Sequence, residues 1–137
     1  MKRPRILFAC IGNSARSQMA EGFCNAFAGD GVECRSGGSK PLGYVLPEAI
    51  QVMREKNIDI SQNPSRGFDE AWVAGCDRII TMGCGDDACP AFIGKRIEDW
   101  DLPDPKGKPV AEFQTVRDDI EGRVRALLRE LNVPLLV

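Results

Sequence analysis

The residues with the clearest chemical potential lie near the N-terminus, where Ile6-Leu7-Phe8-Ala9 runs into Cys10 and the chain continues Ile11-Gly12-Asn13-Ser14-Ala15-Arg16-Ser17. A thiol and an arginine at this spacing fit a tight turn whose backbone N–H groups converge at the start of a following helix. Such a turn attracts anions. The helix dipole and the Arg16 guanidinium both favour a thiolate at Cys10, which makes it a candidate nucleophile on the floor of an oxyanion cradle. Ile11, Gly12, Asn13, Ser14, Ala15, Arg16 and Ser17 are the candidate anion-binding residues. Gly12 lets backbone approach closely, and Asn13 tolerates left-handed dihedrals. An ATP-binding loop is not matched, because no Gly-Lys-Ser/Thr follows. The plain alternative is a packing cysteine at the end of a buried strand, since free cysteine is among the most buried residue types.

The chain contains no histidine. That excludes Ser-His-Asp and Cys-His catalysis and removes the commonest transition-metal ligand, so loop, helix and arginine must activate any cysteine nucleophile. A second cluster, Met82-Gly-Cys84-Gly-Asp-Asp-Ala-Cys89-Pro90, admits three readings. Half of a tetrahedral zinc site lacks a matching second half. A buried packing pair fits poorly beside glycine and acid. A redox pair is the preferred of the three readings. Cys24, Cys34 and Cys76 are assigned to packing, and no metal site is assigned.

To position these groups the chain needs a strand ending at Cys10 and a helix beginning just beyond it. Arg5 to Cys10 reads as that strand, and from Ser14 to about Ala28 the residues Ala15, Met19, Phe23, Ala26 and Phe27 recur at helical spacing before Gly29-Asp30-Gly31. Val32 to Arg35 reads as a second strand broken by Ser36-Gly-Gly-Ser-Lys-Pro41. Pro47 opens a helix to about Lys56, Phe68 to Ala74 a brief one, and Cys76 to Met82 a third strand. Lys95 to Trp100 suggests a fourth, Asp101 to Pro109 is loop, and Val110 to Leu131 is a long amphipathic helix. Alternating strands and helices imply an α/β, doubly wound, three-layer parallel sheet with ligands at the carboxyl ends of the strands.

At 137 residues with 43% apolar content, residues 1–137 are expected to form one domain with one core. The net charge of −2 and the lack of basic runs argue against nucleic-acid or membrane partners. No stretch reaches the length of a membrane span, and the apolar run behind Met1-Lys-Arg-Pro-Arg5 is too short for a signal peptide, so a cytoplasmic location and a monomer are expected.

Cys10 to Ser17 resembles the active-site loop of low-molecular-weight protein tyrosine phosphatases and of the arsenate reductases built on the same fold. The wider pattern resembles the thioredoxin-coupled arsenate reductases along essentially the whole chain. It is carried by Cys10 to Ser17, Ser36-Gly37-Gly38, Pro47 with Ile58-Asp-Ile-Ser61, Met82 through Cys89-Pro90, Trp100, and Asp104-Pro105 followed by Arg117-Asp-Asp-Ile120. The resemblance implies four strands in the order 2-1-3-4, arsenate or a phosphate-like oxyanion as substrate, no bound cofactor, and thioredoxin or another redoxin as external reductant. It further implies Cys10 as nucleophile, Arg16 as oxyanion ligand, Asp104 as general acid, and Cys84 and Cys89 as the pair that carries the disulfide outward. Reduction of arsenate consumes two electrons, which two thiols can supply. Some members bind potassium near Asn13 and Ser36 with polar residues from the loop after the second helix; here that loop reads Asn63-Pro64-Ser65-Arg66, and proline and arginine are poor cation ligands, so no such site is assigned.

The main rival is a phosphatase using Cys10, Arg16 and Asp104 on a phosphoester. A single Tyr in the chain and Lys106-Gly107 after Pro105 argue against an aromatic slot. An anion-binding or redox-sensing regulator without turnover is the alternative from another class.

Overall fold

The strand that ends at Cys10 is central to the sheet. The structure, a computed structural model, describes residues 3–83 and 97–137. Strand β1, Arg5–Cys10, is buried from Ile6 onward, as a strand covered on both faces must be, and its apolar run Ile-Leu-Phe-Ala reflects that. Strand β2 (Glu33–Gly38) pairs with β1 in parallel, with Cys10 opposite Gly38. On the other side β1 pairs with β3 (Arg78–Thr81), and β3 with β4 (Ile97–Asp99), again in parallel. The order is β2-β1-β3-β4, as expected.

Helix α1 (Arg16–Ala28) follows the cradle, packing on β1 and β2 and against α4 (Val110–Glu130) and α2 (Pro47–Arg54). A short α3 (Glu70–Ala74) is capped by Asp69, whose carboxylate accepts from the Ala71 and Trp72 N–H groups. Phe8, Phe23 and Phe113 are wholly buried, each contributing about 1.5–3 kcal/mol over exposure. Trp100 packs its ring 5.8 Å from Phe8 and donates its Nε1–H to Glu98 at 2.7 Å. Trp72 lies under the guanidinium groups of Arg5 and Arg35. Both tryptophans are thus core or anchoring residues. Among the described residues, no helix is long and apolar enough to cross a membrane.

Three local readings need correction. Ser36-Gly37-Gly38 is strand rather than loop, because backbone pairing with Phe8, Ala9 and Cys10 continues through it. Helix α1 begins at Arg16 rather than Ser14, since the intervening residues wrap the anion turn. Cys24 and Cys34, assigned to packing, are joined as a disulfide between α1 and β2, their Cα atoms 6.4 Å apart. The packing of α1 across β2 brings together residues that spacing alone did not connect. Cys76 remains a buried packing residue, its Sγ 3.7 Å from the Trp72 carbonyl oxygen. The last helix presents mostly solvated charge, but Arg117 is buried and donates to the Val52 carbonyl oxygen and to Glu55.

Candidate active site

The candidate nucleophile lies where parallel strands deliver their carboxyl ends, and its surroundings are polar on a buried background. Cys10 is 3% exposed. Its Sγ lies 2.8 Å from the Ser17 Oγ and accepts from the Asn13 backbone N–H at 3.1 Å. The orientation of the Ser17 hydroxyl follows from its other contact: Asn13 Nδ2 donates to Ser17 Oγ at 2.9 Å, leaving the single hydroxyl hydrogen for the sulfur. Both contacts therefore present donors to Cys10, the arrangement a thiolate satisfies best.

Asn13 is the pivot of this network. It is fully buried at φ 47°, in the left-handed region that asparagine tolerates better than most residues. Its Oδ1 accepts from the Arg66 backbone N–H at 2.9 Å and from Gln18 Nε2 at 3.1 Å. A backbone N–H can only donate, so this contact fixes which way the amide faces. The segment after α2 thus holds the amide that directs the Ser17 hydroxyl.

The end of β2 presses on the cradle from below. A Cβ at Gly38 would run into the Ile11 carbonyl oxygen and lie 2.9 Å from the Asn13 nitrogen, both backbone atoms. Only glycine fits there. Ser39 and Lys40 donate their N–H groups to the Cys10 and Ile11 carbonyls, and Leu42 donates to that of Gly12. Helix α1 has no side-chain cap and no acidic residue in its first turn, so its N-terminal N–H groups face the cradle without a competing carboxylate.

Arg16 is 6% exposed. Its Nη1 donates to the carbonyl oxygens of Met82 and Leu102, and its Nη2 lies 3.7 Å from Asp104 Oδ2. Asp104 itself is half exposed and accepts the Lys106 N–H at 3.0 Å. A cavity of about 290 Å³ is lined by Cys10, Ile11, Gly12, Ser14, Ala15, Arg16 and Asp104, with Lys40, Leu42 and Lys106. The fold therefore brings Cys10, Arg16, Asp104 and most of the turn to one cavity. Asn13 and Ser17 sit behind Cys10 rather than on the cavity wall. Cys84 and Cys89 lie outside the described residues.

Sequence reasoning missed the buried polar cluster behind the turn. Ser36 Oγ donates to Glu21 at 2.9 Å, Asn63 Nδ2 lies 3.4 Å from the same carboxylate, and the Arg66 guanidinium is 3.9 Å away. Burial pushes the Glu21 carboxyl above its ordinary value, opposed by the Ser36 hydrogen bond and the Arg66 charge. The available signal was the placement of Gln18 and Glu21 among apolar neighbours on one helix. Among the described residues, no group of three or more Cys, Asp or Glu side chains could hold a metal ion.

Comparison with known proteins follows the same lines. Residues 5–134 match the family model of low molecular weight phosphotyrosine protein phosphatase. Arsenate reductase 2 of Staphylococcus haemolyticus is 40% identical over 128 residues, covering 92% of this chain and 97% of that one. A solved arsenate reductase in the phosphate-binding state superposes with a TM-score of 0.83 at 35% identity, over 93% of this chain and 98% of the other. A thioredoxin-dependent arsenate reductase of Corynebacterium glutamicum gives a TM-score of 0.81 at 34% identity. The match covers 95% of this chain and 62% of the Corynebacterium chain, which is therefore the longer of the two.

Proposed function

The chain belongs to the low molecular weight phosphotyrosine protein phosphatase family, with the arsenate reductases of that fold among its relatives, and we propose that it reduces arsenate to arsenite with electrons from thioredoxin. It is an enzyme of this superfamily. The observation that carries the reading is a buried cysteine receiving two hydrogen-bond donors at the floor of a cavity that also holds Arg16 and Asp104. Relatives that match nearly the full chain bear the same activity in their names.

In the proposed sequence, arsenate binds the N–H groups of the turn residues that line the cavity and the Arg16 guanidinium. The Cys10 thiolate attacks arsenic, and Asp104 gives a proton to the departing oxygen. The thiolate of Cys84 attacks the Cys10 sulfur; the S–As electron pair passes to arsenic, which leaves as arsenite, and a Cys10–Cys84 disulfide remains. Cys89 then attacks Cys84, freeing Cys10 as thiolate and leaving Cys84–Cys89. The thioredoxin dithiol reduces that bridge and takes up the oxidation. Arsenic gains the two electrons that the protein thiols lose.

The experiment is NADPH consumption by thioredoxin reductase and thioredoxin on adding arsenate, with Cys89→Ser as control. Arsenate-dependent consumption by the wild type alone supports the reading. No consumption, together with vigorous aryl-phosphate hydrolysis, would make the chain a phosphatase.

A further inference from the structure

We propose that Lys40 and Lys106 are the residues that select and gather the substrate: a cationic mouth over the cradle that captures a small inorganic dianion and gives no seat to an aromatic phosphoester. The inference rests on the reading of the cavity as an oxyanion site and adds what governs entry to it.

The two lysines reach the same cavity from different loops, one after β2 and one after Asp104-Pro105. Each is held by its backbone to a part of the catalytic apparatus. Lys40 N–H donates to the Ile11 carbonyl at 2.8 Å, so its stem moves with the cradle. Lys106 N–H donates to Asp104 Oδ1 at 3.0 Å, and the turn closes through Lys108 N–H to the Pro105 carbonyl at 2.9 Å. Elsewhere in the molecule Lys56 pairs with Glu121 at 3.2 Å, but among the described residues neither Lys40 nor Lys106 makes an ion pair. Their charge remains available to what enters the cavity.

Charge and shape point the same way. The chain as a whole carries −2, which repels a dianion at long range. Cations gathered at a concave mouth reverse that locally and raise the substrate concentration there. None of the described residues lining the cavity is aromatic, and Ile11 and Leu42 are its large apolar side chains. At about 290 Å³ the space falls at the small end of ligand pockets, which run roughly 300–1,000 Å³ for drug-sized molecules. With no aromatic side chain among the described lining residues, the ring of an aryl phosphate finds nothing there to stack on, while the ion meets the two lysines.

The test uses the full chain with Lys40→Met, Lys106→Met, the double variant and the Lys→Arg pair. Steady-state kinetics with arsenate should show KM raised about tenfold in the double variant, kcat within about twofold, and restoration by arginine. The salt dependence of kcat/KM should flatten in the double variant, because screened charges no longer contribute. Calorimetric binding of inorganic phosphate should weaken in parallel, and phenyl phosphate should bind wild type no more tightly than inorganic phosphate. Unchanged phosphate affinity and salt dependence in the double variant would overturn the proposal, as would phenyl phosphate binding more than about tenfold tighter than phosphate. The calorimetry requires no turnover. A wild type that binds phosphate through the lysines but consumes no arsenate would sink the parent reading and leave this one standing.

Discussion

The Ser17 hydroxyl oxygen lies 2.8 Å from the Cys10 sulfur and is itself oriented by Asn13. The candidate nucleophile thus ends a chain of hydrogen bonds that begins in the backbone of the segment after α2. In a protein without histidine, these donors stand beside the start of α1 and Arg16 as the groups placed around the Cys10 sulfur.

Removing the last link tests it. Ser17→Ala should slow both arsenate turnover and iodoacetamide alkylation of Cys10 at neutral pH by roughly 10- to 100-fold, the worth of one hydrogen bond to a charged acceptor. Stability should also fall by about 1–3 kcal/mol, because the buried Asn13 Nδ2 loses its acceptor, so the alkylation rate is compared under conditions where both proteins are folded. Equal alkylation rates in the two proteins would remove Ser17 from the account.

Gly38 gives a sharper structural test. The Gly38→Ala methyl meets the Ile11 carbonyl and the Asn13 nitrogen, neither of which can move without displacing the cradle. Turnover should fall by at least about a hundredfold, with a destabilisation of about 2–4 kcal/mol by denaturant unfolding. Gly107→Ala, where a Cβ meets nothing within 4 Å although φ is 80°, should cost stability through backbone strain alone and leave the cradle intact.

These two positions also show what the sequence could reveal. Strand β1 and the turn from Cys10 to Arg16 were legible as local patterns, an apolar run followed by a turn signature and helical periodicity, whereas the strand order and the place of Asp104 beside them came from the family resemblance. The role of Gly38 was not. Ser36-Gly-Gly reads as a loop breaker, and only the register of β2 against β1 turns it into strand beneath the cradle. The Cys24–Cys34 bridge and the Glu21 cluster were hidden for the same reason: each depends on how α1 lies across β2, which no local pattern encodes.

Glu21 predicts a pH signature. Its carboxyl is held above the ordinary value of 4.5, chiefly by burial, so the folded protein keeps this proton to higher pH than the unfolded chain does. Stability from the protonated form is fully present below the unfolded value and is lost as pH rises through the folded one. Glu21→Gln, which stays neutral and can still accept from Ser36, should therefore gain stability relative to wild type as pH increases from about 4 to about 8. Urea unfolding across that range measures it; a constant difference between the two proteins would contradict the assignment.

The disulfide predicts a redox signature away from the cavity. Cys24 and Cys34 close a loop with a sequence separation of 10, and bridging such a loop contributes about 2–3 kcal/mol by restricting the unfolded chain. Reducing the protein should lower its Tm by roughly 6–12 °C. The double Cys24→Ala, Cys34→Ala variant should melt at the same temperature with or without reductant. A wild type indifferent to reductant would show that the bridge does not stabilise the fold.

The central claim is that arsenate is reduced by thiols passing a disulfide from Cys10 outward, and peptide mapping of a single turnover tests it most directly. Fully reduced protein receives one equivalent of arsenate, remaining thiols are alkylated, and the bridges are identified by mass spectrometry, with any Cys24–Cys34 peptide counted separately. The expected result is Cys84–Cys89 joined and Cys10 alkylated in the wild type, and Cys10–Cys84 joined in Cys89→Ser. Arsenite released with Cys84 and Cys89 both alkylated would contradict it.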